Sequence, residues 1–165
     1  MSENSLKDSF WKNLLNSAYV PFVSCLTDDE RVIFEKNCSS VDFAAGASIV
    51  ERQNNDSSVF FVLSGTVSVL NYTTSGRAIT HATLCSGNIF GEMAAIDCGP
   101  RAAWVLAVDD CKLLKIPGSV FINLAERNHK FSLELLRKLS ANLREANERV
   151  LDFFSLGAEQ RACLE

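Results

Sequence analysis

Hydrophobic positions along this chain change their period twice. Near the start Leu6, Phe10 and Leu14, with Trp11 and Leu15, recur at helical spacing behind Ser5-Leu6-Lys7-Asp8. That pattern, opened by a capping-box-like tetrad, predicts an amphipathic helix ending before Pro21. A second box, Thr27-Asp28-Asp29-Glu30, predicts a short helix through Val32, Ile33 and Phe34 to about Asn37. From residue 41 to 116 the texture becomes short β-branched runs broken by Gly, Asn and Ser, at 48–51, 59–63, 66–71, 78–84, 102–108 and 112–116. Such runs, with Ser64-Gly65 and Ser75-Gly76 as turns, predict a small all-β unit.

Past Pro117 and Gly118 the helical period returns, first over Val120, Phe121 and Leu124 and then in a long run from about 128 to 154. Within it Leu136, Leu139, Leu143, Ala146, Val150 and Phe153 are separated by 3, 4, 3, 4 and 3 residues. A stripe that narrow reads as an a/d seam, and identical seams meet about a two-fold axis, so a parallel homodimer through helix 128–155 is expected. Glu134 with Lys138 and Glu145 with Arg149 add i,i+4 pairs on the exposed face. The fold class expected is therefore mainly β with flanking helices, N-terminal helices on one side and a long C-terminal dimerisation helix on the other.

Composition narrows the function classes. The 165 residues are 47% hydrophobic and 22% charged with a net charge of −4, an ordinary globular balance in which nothing suggests that the chain grips nucleic acid by itself. No apolar run approaches the roughly 20 residues that span a bilayer, and Met1-Ser2-Glu3-Asn4 lacks the basic flank and apolar core of a signal peptide, so a cytoplasmic protein with no membrane partner is expected. Cys25, Cys38, Cys85, Cys98, Cys111 and Cys163 are scattered with no C-x-x-C pair. They read as reduced and mostly buried, with Cys98 the one to watch for redox sensitivity, and no metal site is expected. His81 and His129 stand too far apart in sequence to supply the histidine cluster of a β-barrel metal enzyme, and no Ser–His–Asp set, paired carboxylates or triphosphate loop stands out. No catalytic residue is assigned, and an enzyme is not expected.

The chemistry concentrates in residues 90–104, Phe-Gly-Glu-Met-Ala-Ala-Ile-Asp-Cys-Gly-Pro-Arg-Ala-Ala-Trp. Gly91 lets a ligand lie against the backbone, and the residues after it favour a helical turn with unpaired N–H groups. Arg101, nine residues after Glu92, offers a planar fork of donors to a phosphate. Glu92 would repel that phosphate but can accept a hydrogen bond from a sugar hydroxyl. An isolated Glu and Arg at this spacing would read as a surface ion pair worth little. The surrounding Gly, Pro and small residues turn the reading toward a pocket for a ligand with one phosphate and one free hydroxyl.

Phe90-Gly91-Glu92-Met93-Ala94 followed by Pro100-Arg101-Ala102-Ala103 closely resembles the phosphate-binding cassette of cyclic-nucleotide-binding domains, and the strand–turn–strand at 60–69 resembles the family's second landmark. The long helix and the tail resemble the cAMP receptor protein / fumarate-nitrate regulator (Crp/Fnr) family of bacterial transcription regulators. The resemblance implies a double-stranded β-helix, a jelly-roll-like β-roll. It implies that Glu92 takes the ribose 2′-hydroxyl and Arg101 the exocyclic phosphate oxygens, with Phe90, Gly91, Met93, Ala94, Ala102 and Ala103 around them. Ala102 favours cAMP over cGMP, and Asn147, with Arg144 and Glu148 nearby, lies where relatives contact the base. The family's turn glycine is replaced in Gln53-Asn54-Asn55-Asp56, where an Asn is expected to take the positive φ.

The resulting division is a cyclic-nucleotide-binding unit at 1–127, a dimerisation helix at 128–155 and, at 156–165, a hinge with the start of a truncated DNA-binding domain. DNA would then be contacted only through a C-terminal domain that this chain does not contain. The alternatives are a regulator of the same fold with another effector or none, a regulatory domain of a kinase or channel, and a β-barrel enzyme.

Overall fold

The computed structural model describes residues 20–162, so the helix expected before Pro21, Cys163 and the last residues of the tail lie outside the described residues. Two short helices come first, α1 (Val20–Ser24) and α2 (Asp28–Asn37). The second capping box is formed as the sequence predicts. Thr27 Oγ1 accepts from the Glu30 backbone N–H at 3.4 Å, and the Glu30 side chain accepts from the Thr27 backbone N–H at 2.8 Å.

Eight strands follow: β1 (Ser39–Phe43), β2 (Ser48–Val50), β3 (Val59–Ser64), β4 (Thr66–Tyr72), β5 (Ala78–Cys85), β6 (Ile89–Phe90), β7 (Trp104–Ala107) and β8 (Cys111–Ile116). They form two four-stranded antiparallel sheets, ordered β1-β8-β3-β6 and β2-β7-β4-β5. A six-residue helix α3 (Glu92–Asp97) interrupts the roll, and α4 (Gly118–Arg127) and α5 (His129–Ala162) close it. The six expected strands are present. β1 and β6 are additions, because β1 reads Ser-Ser-Val-Asp-Phe with little apolar content and β6 is only two residues long.

β3 organises the interior. Its run Val59-Phe60-Phe61-Val62 is buried on both faces, which is why it reads as continuous rather than alternating. Val59 and Phe61 face the helices, joining Phe22, Phe34, Phe121, Leu124, Phe131 and Leu135. Phe60 and Val62 face the inside of the roll, with Val67, Phe90, Val105 and Leu113. On the helical side three ring contacts are edge-on: Phe22 to Phe61 at 5.8 Å, Phe22 to Phe131 at 5.6 Å and Phe121 to Phe131 at 5.4 Å. Of the cysteines, Cys25, Cys38, Cys85, Cys98 and Cys111 are free, and burial pushes the Cys38 thiol up to about 12.

Asn128 fastens α5 to the first helices. Its amide nitrogen donates to Cys25 O at 2.8 Å and to Glu30 Oε2 at 2.7 Å, while its Oδ1 accepts from the Phe131 backbone N–H at 3.0 Å. Burial alone would raise the Glu30 carboxyl, but hydrogen bonds from Thr27 and Asn128 hold it below its ordinary value. Asn128→Ala is expected to lower stability by about 1–3 kcal/mol, read as a shift in the urea midpoint, because it removes a helix cap and leaves partly buried acceptors unmatched. A carboxylate with a lowered folded pKa contributes stability that is present above its unfolded value and lost as pH falls through the folded one. The penalty for Asn128→Ala is therefore expected to shrink in acid, as Glu30 becomes protonated.

α5 runs without a break through residues 156 and 157, where the sequence suggested a hinge. The positions of the expected seam are not all alike in the single chain. Leu136, Leu143 and Val150 are exposed, but Leu139 packs on the helical side of the core and Ala146 lines a cleft. The first helix and α4 pack against the long helix, and Leu139 is partly covered in that layer while Ala146 stays exposed at the cleft. Among the described residues no helix is long and apolar enough to cross a membrane.

Candidate functional site

The turn from β6 into α3 and the loop from α3 to β7 place one charged side chain each, Glu92 and Arg101, inside the roll. Glu92 is 7% exposed and Arg101 is 3% exposed, so neither is a solvated surface ion. Gly91, between Phe90 and Glu92, sits at φ +83°, a left-handed conformation open to glycine without strain. A Cβ there would lie 2.4 Å from Arg101 Nη1 and 2.8 Å from Ser58 O.

Arg101 is held from three sides. Its Nη1 donates to Gly91 O at 3.0 Å, and its Nη2 donates to Ser58 O at 2.6 Å and to Asp56 Oδ2 at 3.2 Å. Its Nε is buried with no hydrogen-bond partner among the described residues. Behind it the Phe60 ring centroid is 5.9 Å from Cζ, and that ring stacks on Phe90 at 5.1 Å. The loop before β3 fixes the backbone as well: Gln53 N–H donates to Arg101 O at 3.0 Å and Arg101 N–H to Asn54 O at 2.9 Å. Gln53 itself takes the positive φ, +68°, correcting the expectation that an Asn would. Asp56 is lowered below its ordinary value, against the pull of burial, by hydrogen bonds from Ser58 and by the charges of Lys115 and Arg101.

Glu92 answers with the opposite shift. Burial pushes its carboxyl up, and its own backbone N–H, Lys138 and Arg101 oppose this only in part. Lys138 reaches in from α5 and donates to Asn88 Oδ1 at 2.9 Å, tying the long helix to the turn before β6.

These groups open on one cleft of about 430 Å³, within the usual range for small-ligand sites. Phe90, Gly91, Glu92, Met93, Ala94, Arg101, Ala102 and Ala103 all line it, so the structure brings together every cassette residue singled out from the sequence. Its apolar wall is Val50, Val69, Leu84, Ile89 and Val105. The lining also includes polar side chains, His81 and Thr83 of β5 and Asn142, Glu145 and Arg149 of α5, the last two joined as an ion pair. Asn147 does not line this cleft and is exposed on another side of the helix. A second, polar cavity of about 190 Å³ borders Arg101 from the side of Ser48, Glu51, Asn54 and Asp56. Among the described residues no group of three or more His, Cys, Asp or Glu side chains is placed to hold a metal ion.

Sequence reasoning missed Asp56, Ser58 and Lys138. Asp56 and Ser58 lie over forty residues from Arg101 along the chain, and no periodicity links a loop carboxylate to an arginine that distant. The i,i+4 spacing pairs Lys138 with Glu134, whereas Glu134 pairs with Arg137.

Comparison with known proteins agrees with this geometry. Residues 40–128 match the family described as the cyclic nucleotide-binding domain. The chain belongs to that family. It is 25% identical over 129 residues to the cAMP-activated global transcriptional regulator Vfr of Pseudomonas aeruginosa, covering 76% of this chain and 60% of Vfr. It is 33% identical over 107 residues to the Pycsar effector protein XpPycTIR of Xanthomonas perforans, covering 64% of this chain and 34% of that protein. Among solved structures the Thermus thermophilus catabolite activator protein superposes with a TM-score of 0.68 at 28% identity, over 82% of this chain and 63% of that one. The chain thus spans three fifths or less of the length of these curated relatives.

Proposed function

We propose that this domain senses cAMP as part of a dimeric transcription regulator, and that it does so without catalysis. The observation that carries the reading is that a buried guanidinium and a buried carboxylate, at either end of the α3 segment, open on one cleft large enough for a nucleotide. Arg101 would hold the exocyclic phosphate oxygens through its fork and its unpartnered Nε, and Glu92 would accept from the ribose 2′-hydroxyl. The apolar wall suits a purine face. Ala102 after the arginine and the naming of Vfr as cAMP-activated both support cAMP.

Coupling follows from where the cleft is built. Part of its lining comes from the roll and part from α5, so a ligand that contacts both favours arrangements in which they are close. In the proposed homodimer through α5 such a bias reaches both chains, and a DNA-binding unit following the helix would read it out. Calorimetric titration with cAMP and with cGMP tests the ligand. Saturable cAMP binding, weaker for cGMP, is expected, and no heat from either would overturn the reading.

Glu92 gives this binding a pH signature. A carboxyl with a raised folded pKa favours the folded state when protonated, so its contribution to stability falls as pH rises from the ordinary value of 4.5 through the folded one. A sugar hydroxyl donating to Glu92 favours the charged form instead. Affinity for cAMP is therefore expected to increase with pH across that window and then level off, with a proton released on binding within it. Glu92→Gln is expected to remove the slope and weaken binding about tenfold, measured in buffers of different ionisation heat.

A further inference from the structure

The side of α5 turned away from the roll carries its own pattern. Leu133, Leu136, Leu143, Val150 and Phe154 are 47%, 59%, 63%, 53% and 68% exposed. With Ser140 and Asn147, both exposed, filling the gaps, the positions 133, 136, 140, 143, 147, 150 and 154 alternate steps of three and four. This is a heptad seam of three repeats, with Leu133, Ser140, Asn147 and Phe154 in column a and Leu136, Leu143 and Val150 in column d. It is rotated by one column from the seam legible in the sequence, since Leu139 and Ala146 face the core and the cleft.

Flanking charges select the occupant and its direction. Column e holds Arg137, Arg144 and Leu151, and column g holds Leu139 and Ala146. In a parallel pair column g of one helix meets column e of the other, which sets Leu139 near the stem of Arg144 and Ala146 near Leu151. An antiparallel pair would set column e against itself and bring arginines together. A parallel second copy of this chain therefore fits the stripe, and in that arrangement like positions meet on the axis.

Resting on the α5 dimer proposed above, we infer that Asn147 pairs with its counterpart in a second copy of the chain and fixes the register of the two helices. An amide both donates and accepts, so two related by a two-fold satisfy each other. Sliding the helices by one heptad would set one amide against Phe154 and the other against Ser140, so the reciprocal amide pair is lost and one amide is left with its hydrogen bonds unmade. Asn147 is thus an interface residue next to a cleft residue, Ala146, and the register it sets also sets where each copy's Ala146 stands.

Sedimentation of the chain and of Asn147→Leu, with and without cAMP, tests this together with mild oxidation of Asn147→Cys and mass-spectrometric mapping of the disulfides. The expected results are a dimer for the unaltered chain, an at least about tenfold lower dissociation constant for Asn147→Leu with loss of a single oligomeric state, and a 147-to-147 disulfide that Glu148→Cys, one column away, does not match. A monomeric unaltered chain would sink the dimer reading and this inference with it. A dimeric chain in which Asn147→Cys fails to link, or in which Asn147→Leu associates no more tightly, overturns the role of Asn147 alone. So does an Asn147→Leu chain whose dimer is unchanged but whose cAMP affinity falls more than tenfold, which would assign the amide to the ligand.

Discussion

Arg101→Ala is expected to weaken cAMP binding by about 100- to 1,000-fold, the largest loss at any position in the cleft. The magnitude follows from removing two charge-assisted hydrogen bonds to a phosphate in a site screened from water, together about 3–4 kcal/mol. The guanidinium is set for this before any ligand arrives, because Gly91 O, Ser58 O and Asp56 fix its plane. Arg101→Lys separates charge from shape. An ammonium keeps the charge but cannot satisfy those acceptors and a phosphate together, so a loss of about 30-fold or more is expected. Both variants are also expected to lose about 2 kcal/mol of stability, since the two carbonyls lose their donor while the half-exposed Asp56 can turn to water. Titration by calorimetry, with thermal melts to confirm folding, reads both quantities. An affinity within threefold of the unaltered domain in Arg101→Ala would remove Arg101 from the site.

Gly91→Ala is expected to reach the same site through the backbone and to be the most destabilising single substitution in the cassette. A residue with a Cβ at φ +83° is strained by about 1–2 kcal/mol before any contact is considered. The added carbon would also meet Arg101 Nη1 at 2.4 Å and Ser58 O at 2.8 Å. The first neighbour can swing away, and doing so breaks the hydrogen bond that orients the guanidinium. The second is backbone of the loop leading into β3 and cannot give without moving that strand. A total loss of about 3 kcal/mol is expected in urea unfolding, with cAMP affinity falling alongside it. A fully stable Gly91→Ala domain with normal affinity would show that the turn is not held as described.

The β-rich middle, the second capping box, the long helix and the whole cassette were readable because each rests on local chemistry: period, cap, turn residue, or a glycine beside a carboxylate. What could not be read depends on pairing across distance. β1 pairs along β8 through Ser39 to Phe43, a segment with too few apolar residues to stand out alone. Asp56 and Ser58 reach Arg101 only after the loop folds back. That Leu139 is partly covered and Leu136 exposed was not legible either, because the two are equally apolar and only packing in the helical layer distinguishes them. Asn147 shows the same limit. Its amide suits a nucleobase on chemical grounds, but helix phase turns it away from the cleft in its own chain.

On β3, which with β6 and β8 contributes to both hydrophobic clusters, one peptide link separates the inside of the roll from the helical layer. Phe60 lies under the Arg101 guanidinium, and its immediate neighbour Phe61 touches Phe22, which in turn meets Phe131 on the long helix. Close-packed rings on either side of one backbone segment have no slack to absorb a shift. The backing of the Arg101 guanidinium is therefore also the bearing on which the long helix rests.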